Sequence, residues 1–347
     1  MSSSDVTKRG LTDTTPGRQA RMWQEGGGRR KRRGERLMVP EARFTSYYGR
    51  PILKPPIWEE RDIAGYLFTG GLAAGTGMIA AGADLTGRPA LRRAARLTSL
   101  AAVGVSAVAL VHDLGRPERF LNMLRLVKPT SPMSIGTWIL TSFGPAIGIA
   151  AVSEVPALVP PPARGLVAAA ARPAGLAAAA IAPALATYTA VLVADTAVPT
   201  WHEAHPELPF LFAGSALGAA SGVGLIGAPP SETGPVRALA AAGAALDLAA
   251  AHRMESRLGL VGEPLRIGGA GRKLRAARVL TIAGAVGAVA LGRRSRIAAA
   301  ACGAAMIAGS ALTRFGFFEA GVASAKDPKY VVIPQRERID RGERVRD

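Results

Sequence analysis

Cysteine is almost missing from this chain: Cys302 is the one thiol in 347 residues. A lone thiol excludes structural disulfides within the chain. It also excludes an iron–sulfur cluster held by this chain alone, because such clusters take four thiolates. Histidine is nearly as scarce, with His112, His202, His205 and His252 making up the full set. Haem held between two histidines needs imidazoles inside facing helices, and His112 and His252 sit instead at the ends of apolar blocks. No Walker A loop, His-Glu-x-x-His run or nucleophile elbow is present, so nothing points to a self-contained hydrolase or an ATP-driven transporter. Acidic residues are outnumbered by basic ones, 25 against 43, for a net charge of +18. No apolar run precedes residue 63, so a cleavable signal peptide is not expected and the first span reads as an uncleaved membrane signal. The arginines of Arg29–Arg33 lie too far upstream of that span to read as a twin-arginine export signal.

What the chain has in abundance is apolar sequence. Hydrophobic residues make up 49% and mean hydropathy is +0.20. They fall in blocks separated by charged knots: Ile63–Ala83, Leu97–Val111, Ile135–Ser153, Gly175–Ala194, Pro209–Ile226, Val236–Ala251, Val279–Leu291 and Ile297–Leu312. Most approach the length needed to cross a hydrocarbon core of ~30 Å. The second, seventh and eighth are short, so their helices must extend into the flanking polar residues. A soluble bundle would alternate apolar and charged faces at helical spacing, whereas Leu97–Val111 carries no charge on any face. The expected fold is therefore an all-α integral membrane protein with about eight transmembrane helices in a bundle. Residues 1–46 read as a basic, disordered tail, 47–325 as the membrane domain and 326–347 as a C-terminal tail. The pairs Gly71/Gly75, Gly144/Gly148 and Gly218/Gly222 offer small-residue contacts of the kind that let membrane helices approach closely.

Eight spans put both termini on one side, together with loops 113–134, 195–208 and 252–278. Lys and Arg number 11 in those loops and 10 on the opposite side. The loops alone thus do not decide orientation, and only the basic tails tip it toward cytoplasmic termini. The positive charge fits juxtamembrane segments on anionic lipid better than a nucleic-acid partner. A firmer asymmetry is chemical. All four histidines, with Asp113, Asp195, Trp201 and Glu203, fall on the terminus side. The opposite side offers mainly arginines, prolines and Asp84.

This distribution suits proton-linked or anchoring chemistry. Reducing a quinone takes two electrons and two protons, and needs an apolar slot near the interface, donors to the ring carbonyls and ionisable groups linked to water. His112 beside Asp113 has that character, because a carboxylate neighbour orients an imidazole. Asp195 and Trp201-His202-Glu203 offer a second wall. The alternative is plain interfacial anchoring, since Trp belongs at the headgroup level and a helix-end Asp is readily solvated. Asp247, near the end of its block, is an intramembrane carboxylate and so a candidate for a proton path, unless it simply reaches water. Phe120–Val127 reads as a short amphipathic helix lying along the interface. Pro117 would start it, Gly115 would stop the second span, and Ser134 would cap the third.

The run Asp113-Leu114-Gly115-Arg116-Pro117-Glu118-Arg119-Phe120, followed by Lys128-Pro129-Thr130-Ser131-Pro132-Met133-Ser134, closely resembles the signature of the NrfD/PsrC family, the membrane subunits of polysulfide reductase-type molybdoenzyme complexes. Tyr47–Pro56, Thr196–His202 and Phe318–Tyr330 are similar to the same family, so that the resemblance runs from about Tyr47 to Arg338. It implies an eight-helix subunit of a prokaryotic cell membrane, without haem or cluster of its own. Such a subunit binds menaquinone or ubiquinone near the face where a four-cluster iron–sulfur subunit docks. That partner relays electrons to or from a molybdopterin catalytic subunit such as a formate dehydrogenase or a polysulfide or thiosulfate reductase. On this reading Asp113 is the best-supported quinone-site or proton-relay residue. Arg116, Glu118, Arg119 and Lys128 belong to the partner interface, while His112, Asp195, Trp201 and His202 rest on the residue-level argument alone. No metal site is expected. In several such complexes the catalytic arm is exported, which would put this face outside, against the basic tails. The competing classes are a structural anchor without a quinone and an ion or solute transporter.

Overall fold

The computed structural model describes residues 51–114 and 122–341. Among the described residues there are helices and no strand: α1 Glu60–Leu85, α2 Pro89–Asp113, α3 Pro132–Val152, α4 Arg164–Ala194, α5 Pro199–Glu203, α6 Leu208–Gly227, α7 Gly234–Arg257, α8 Gly268–Leu291, α9 Arg296–Lys326 and α10 Lys329–Asp340. Seven of them, α1–α4, α6, α8 and α9, are long and apolar enough to cross a membrane. The eighth long helix, α7, has 24 residues but carries Arg237 and Asp247 within its apolar stretch. Val279–Leu291 is one of the three short apolar blocks in the sequence. The structure extends that block backward to Gly268, and α7 is the polar member.

Consecutive helices pack as antiparallel hairpins, and the hairpins form two four-helix bundles, α1–α4 and α6–α9. The bundles meet through α1, α2 and α4 on one side and α6 and α9 on the other. The innermost helices are α1 and α6, with 72% and 67% of their apolar windows buried, against 28% for lipid-facing α8. Small residues make the close junctions possible. A Cβ on Gly75 of α1 would lie 2.7 Å from the Ala216 carbonyl oxygen and 2.7 Å from Ala220 Cβ, both on α6. Gly222 of α6 and Gly303 of α9 abut each other's backbone in the same way. Gly144 meets nothing within 4 Å, so the third pair suggested by spacing makes no such junction. Hydroxyls add cross-helix bonds: Ser99 donates to the Ala73 carbonyl at 2.7 Å, and Ser215 and Ser310 pair at 2.7 Å.

The side opposite the termini is less plain than its sequence suggests. Asp84 of α1, Arg92 and Arg96 of α2, Glu154 after α3 and Arg172 of α4 form one ion network. Arg92 meets Glu154 at 2.7 Å and Asp84 at 3.2 Å, while Arg96, only 3% exposed, meets Glu154 at 2.9 Å. One network therefore ties all four helices of the first bundle. Glu232, between α6 and α7, accepts from the Leu91 backbone N–H at 2.9 Å and so caps α2 from the second bundle.

Helix ends differ from expectation in instructive ways. The N-cap of α3 is Ser131, not Ser134. Pro132 takes the first helical position, and the Ser131 side chain accepts from the Ser134 N–H. Ser134 Oγ instead closes the preceding loop, accepting from Lys128 N–H and donating to the Leu126 carbonyl. Only a single turn at 122–124 remains of the expected helix Phe120–Val127, and Gly115, Pro117 and Phe120 lie outside the described residues. The expected N-terminal tail, residues 1–46, lies outside the described residues, and residues 326–347 include α10. Gly75→Val should destabilise the protein in detergent by about 1–3 kcal/mol, the usual cost of overpacking, and Gly144→Val should change the thermal midpoint little. Thermal unfolding followed by size-exclusion elution checks both.

Candidate functional site

On the terminus side an extended strap, residues 51–59, runs up to the start of α1. Prolines 51, 55 and 56 keep it out of helix. Two contacts fix its end. The Trp58 ring stacks on Trp201 of α5, with centroids 5.8 Å apart and planes at 21°. Next to it, the Glu59 backbone N–H donates to Asp113 Oδ1 at 3.3 Å. The end of α2 is thus tied to the strap that precedes α1.

His112 and Asp113 are not a pair. His112 Nδ1 lies 2.6 Å from Asp62 Oδ2 on the first turn of α1, with Asp62 14% and His112 73% exposed. The carboxylate that orients the imidazole comes from a neighbouring helix and was missing from the sequence reading. Residues 62 and 112 stand fifty positions apart, and only the α1/α2 hairpin brings them together. Asp113 instead holds the strap.

Trp201 is wholly buried, not an interfacial anchor. Its Nε1–H donates to the Phe317 carbonyl on α9 at 3.1 Å, and its ring packs on Phe318 with centroids 5.1 Å apart. Gly321, one turn further along α9, has its missing side chain's place filled by this indole. A β-carbon there would displace the ring. His202 is exposed and turned back on α4, its Nδ1 3.1 Å from the Ala194 carbonyl. Asp195, the C-cap of α4, is also exposed. Lys128 is exposed as well, whereas Arg116, Glu118 and Arg119 lie outside the described residues.

Between the strap and the α4–α5 turn lies a cavity of about 410 Å³, walled by Pro55, Pro56, Trp58, Val198 and Trp201, with Lys54 and Thr196 at its margin. Its size falls within the ~300–1,000 Å³ common for small-molecule sites, and its walls are mostly apolar. Trp58 and Lys54 were missed as site residues. The aromatic and basic residues of the strap carried a signal, but it showed only once the strap was seen to face Trp201. Of the predicted residues, Trp201 lines this cavity. Asp113 holds its strap one residue away, and His112 sits beside that tether through Asp62.

Ion pairs brace the surrounding layer. Glu207, before α6 and 3% exposed, accepts two bonds at 2.8 Å from Arg257 at the end of α7, and this pairing holds its carboxyl below the usual carboxylate range. Lys273 of α8 bridges Glu60 and Glu319 at 2.6 and 2.9 Å, joining the two bundles. The segment Lys326-Asp327-Pro328-Lys329-Tyr330 is a docking latch. Asp327 Oδ1 accepts from the Lys329 N–H at 3.0 Å, and Glu263 Oε2 accepts from Lys329 Nζ at 2.8 Å and Tyr330 OH at 3.0 Å. Lys329 holds the Glu263 carboxyl low, and burial pushes the Tyr330 phenol up to about 12.

Deeper in the second bundle, Asp247 is 5% exposed. Because α7 continues to Arg257, ten residues or about 15 Å of helix lie between it and that end, and its side chain is covered by protein and does not open to solvent. Arg314, two residues past the apolar block Ile297–Leu312, is wholly buried in α9. Its guanidinium lies 3.5 Å from the Phe212 ring centroid and donates to the Phe212 carbonyl at 2.7 Å.

Fold and site together define a multi-pass, all-helical membrane protein with an apolar, ionisable-edged cavity at one interface. A family model described as polysulphide reductase, NrfD, matches residues 54–227. The chain belongs to that family, whose members are membrane subunits of molybdoenzyme complexes. No curated protein matches the chain. The matched stretch is narrower than the resemblance from Tyr47 to Arg338. It begins inside the strap, takes in the first bundle and α5, and ends at the last residue of α6, so it contains the end of the strap with its Asp113 tether and all but one of the cavity's lining residues.

Glu207 has a depressed folded-state value, so its stabilisation is present above pH ~4.3 and lost as pH falls through the lower folded value. Glu207→Gln should therefore cost about 1–2 kcal/mol near neutrality, allowing for the partial exposure of Arg257. The gap between wild type and variant should close on acidification below about pH 4. Thermal midpoints measured across pH check the sign.

Proposed function

We propose that this chain is a quinone-reactive membrane subunit of a molybdoenzyme complex in a prokaryotic cell membrane. It passes electrons between menaquinone or ubiquinone and a peripheral four-cluster iron–sulfur subunit, which connects to a molybdopterin catalytic subunit. The observation that carries the reading is the strap cavity. It is apolar, opens at the membrane-interface end of the helices, and is edged by Lys54 as a cationic donor, with the His112–Asp62 pair near the strap's tether. Quinone is the exchangeable substrate. Its reduction takes up two electrons from the partner's cluster and two protons from water, and its oxidation returns them. Trp58, Trp201 and the prolines shape an apolar slot for a planar ring, and a donor such as Lys54 stabilises the charge that builds on a ring oxygen. The His112–Asp62 hydrogen bond can hold and pass one proton between that slot and water. The exposed layer containing Lys128, Asp195 and His202 is the face offered to the iron–sulfur subunit, and Arg116, Glu118 and Arg119, outside the described residues, are assigned to the same partner from the sequence alone.

Asp113, the proton-relay residue that the family signature implies, also has a structural role with an observation behind it, since this carboxylate accepts the Glu59 N–H. Asp113→Asn separates the two roles because asparagine keeps an acceptor oxygen and loses the charge. Quinone-linked turnover of the purified complex should fall by about 10² or more, with subunit stoichiometry unchanged. Undiminished turnover would leave Asp113 as a tether and favour an anchor that lacks its own quinone site.

A further inference from the structure

Three arginines on the side away from the termini have no use in the account above. Arg237 in the first turn of α7, and Arg293 and Arg294 in the turn after α8, line one cleft of about 720 Å³ together with Ala238, Val289 and Ala290. Several other arginines on that side are engaged, and Arg93, also unpaired among the described residues, lies outside this cleft. Arg92, Arg96 and Arg172 pair with Asp84 or Glu154, and Arg296 donates to the Ala228 and Ile226 carbonyls that end α6. Among the described residues, no carboxylate or carbonyl engages the side chains of Arg237, Arg293 or Arg294. Three guanidinium groups left facing one cleft create a local positive field that only an anion answers.

The surroundings say which anion. With 24 residues, α8 is about 36 Å long, enough to cross the ~30 Å core and leave Arg293 and Arg294 at headgroup depth. Directly below them Val279, Ile282, Val286 and Val289 are 65%, 44%, 63% and 56% exposed. They recur three to four residues apart on one face of α8 and point away from the protein. An apolar column beneath a cationic cleft matches one acyl chain beneath one phosphate.

We infer that the cleft between the ends of α7 and α8 binds the phosphate headgroup of an anionic phospholipid, with its acyl chain along the Val279–Val289 face. Arginine suits this because its planar donors take two phosphate oxygens at once. The surplus positive charge selects a lipid with net negative charge over a zwitterionic one. A lipid seated there fills the seam between the polar helix α7 and its neighbour.

The full-length chain, purified in detergent and equilibrated with vesicles of equal phosphatidylglycerol and phosphatidylcholine, tests this by native mass spectrometry of retained lipid. Wild type should keep phosphatidylglycerol in preference. The triple variant Arg237→Gln, Arg293→Gln, Arg294→Gln should retain it roughly tenfold less or worse. A control with the same charge change elsewhere on that side, Arg88→Gln, Arg93→Gln, Arg164→Gln, should behave as wild type. Replacing the three cleft arginines by lysine keeps the charge and should largely preserve retention, which guards against a folding defect. Equal retention by the cleft and control variants, loss in the lysine variant, equal binding of phosphatidylcholine, or full displacement by inorganic phosphate would each overturn the lipid site, the last by showing a simple anion site.

Discussion

Trp201 is the point on which the terminus-side architecture turns. A wholly buried indole contributes about 150–250 Å² of contact, and here that contact is shared among three elements: Trp58 of the strap, Phe318 of α9 and the α5 turn that carries it. The Nε1–H bond to Phe317 fixes the ring's rotation, and the gap at Gly321 allows its depth. With the ring so placed, Trp58 of the strap stacks on it, the Glu59 N–H comes within reach of Asp113, and the cavity acquires two of its walls. Removing the indole would leave the strap held by one backbone hydrogen bond at a partly exposed site.

The two sides of the membrane are held by different physics. On the far side, Asp84, Glu154, Arg92, Arg96 and Arg172 form a shared, largely buried ion network. Losing one partner from such a network leaves charge uncompensated, so it penalises any rearrangement of the first bundle. On the terminus side, cohesion comes from aromatic stacking, from Lys273 bridging the bundles between Glu60 and Glu319, and from Arg257 on Glu207 within the second bundle. A rigid base with a braced but partly solvated upper layer is the arrangement expected of a subunit that admits a lipid-soluble substrate from the side and a protein partner from above. Membership of the NrfD family fits it, and the matched residues contain most of that upper layer's strap and cavity lining.

Much of the fold was legible in the residues. Charge-free runs such as Leu97–Val111 leave little choice but a lipid environment, and the gathering of all four histidines on one side picked out the face that carries the cavity. What stayed hidden was pairing between distant positions. Nothing near His112 in sequence reveals that Asp62, rather than Asp113, receives its Nδ1–H. Nothing around Asp247 shows how far α7 continues beyond the apolar block. Small-residue spacing was equally mute about partners: Gly75 and Gly222 are true junctions and Gly144 is not, because a glycine pair states what a helix permits and not what faces it. Ser131 displaced Ser134 as a cap for a local reason, the preference of Pro132 for the first helical position. That one could have been read in advance.

The central claim is that the substrate ring lies between the strap and the α4–α5 turn. Photolabelling the intact complex with an azido-substituted quinone, followed by peptide mapping, tests it most directly. The account predicts labels within residues 51–59 and 196–202, suppressed by excess unlabelled quinone. Suppressible labelling confined to the second bundle around Asp247 and Arg314, with the strap unmarked, would contradict it.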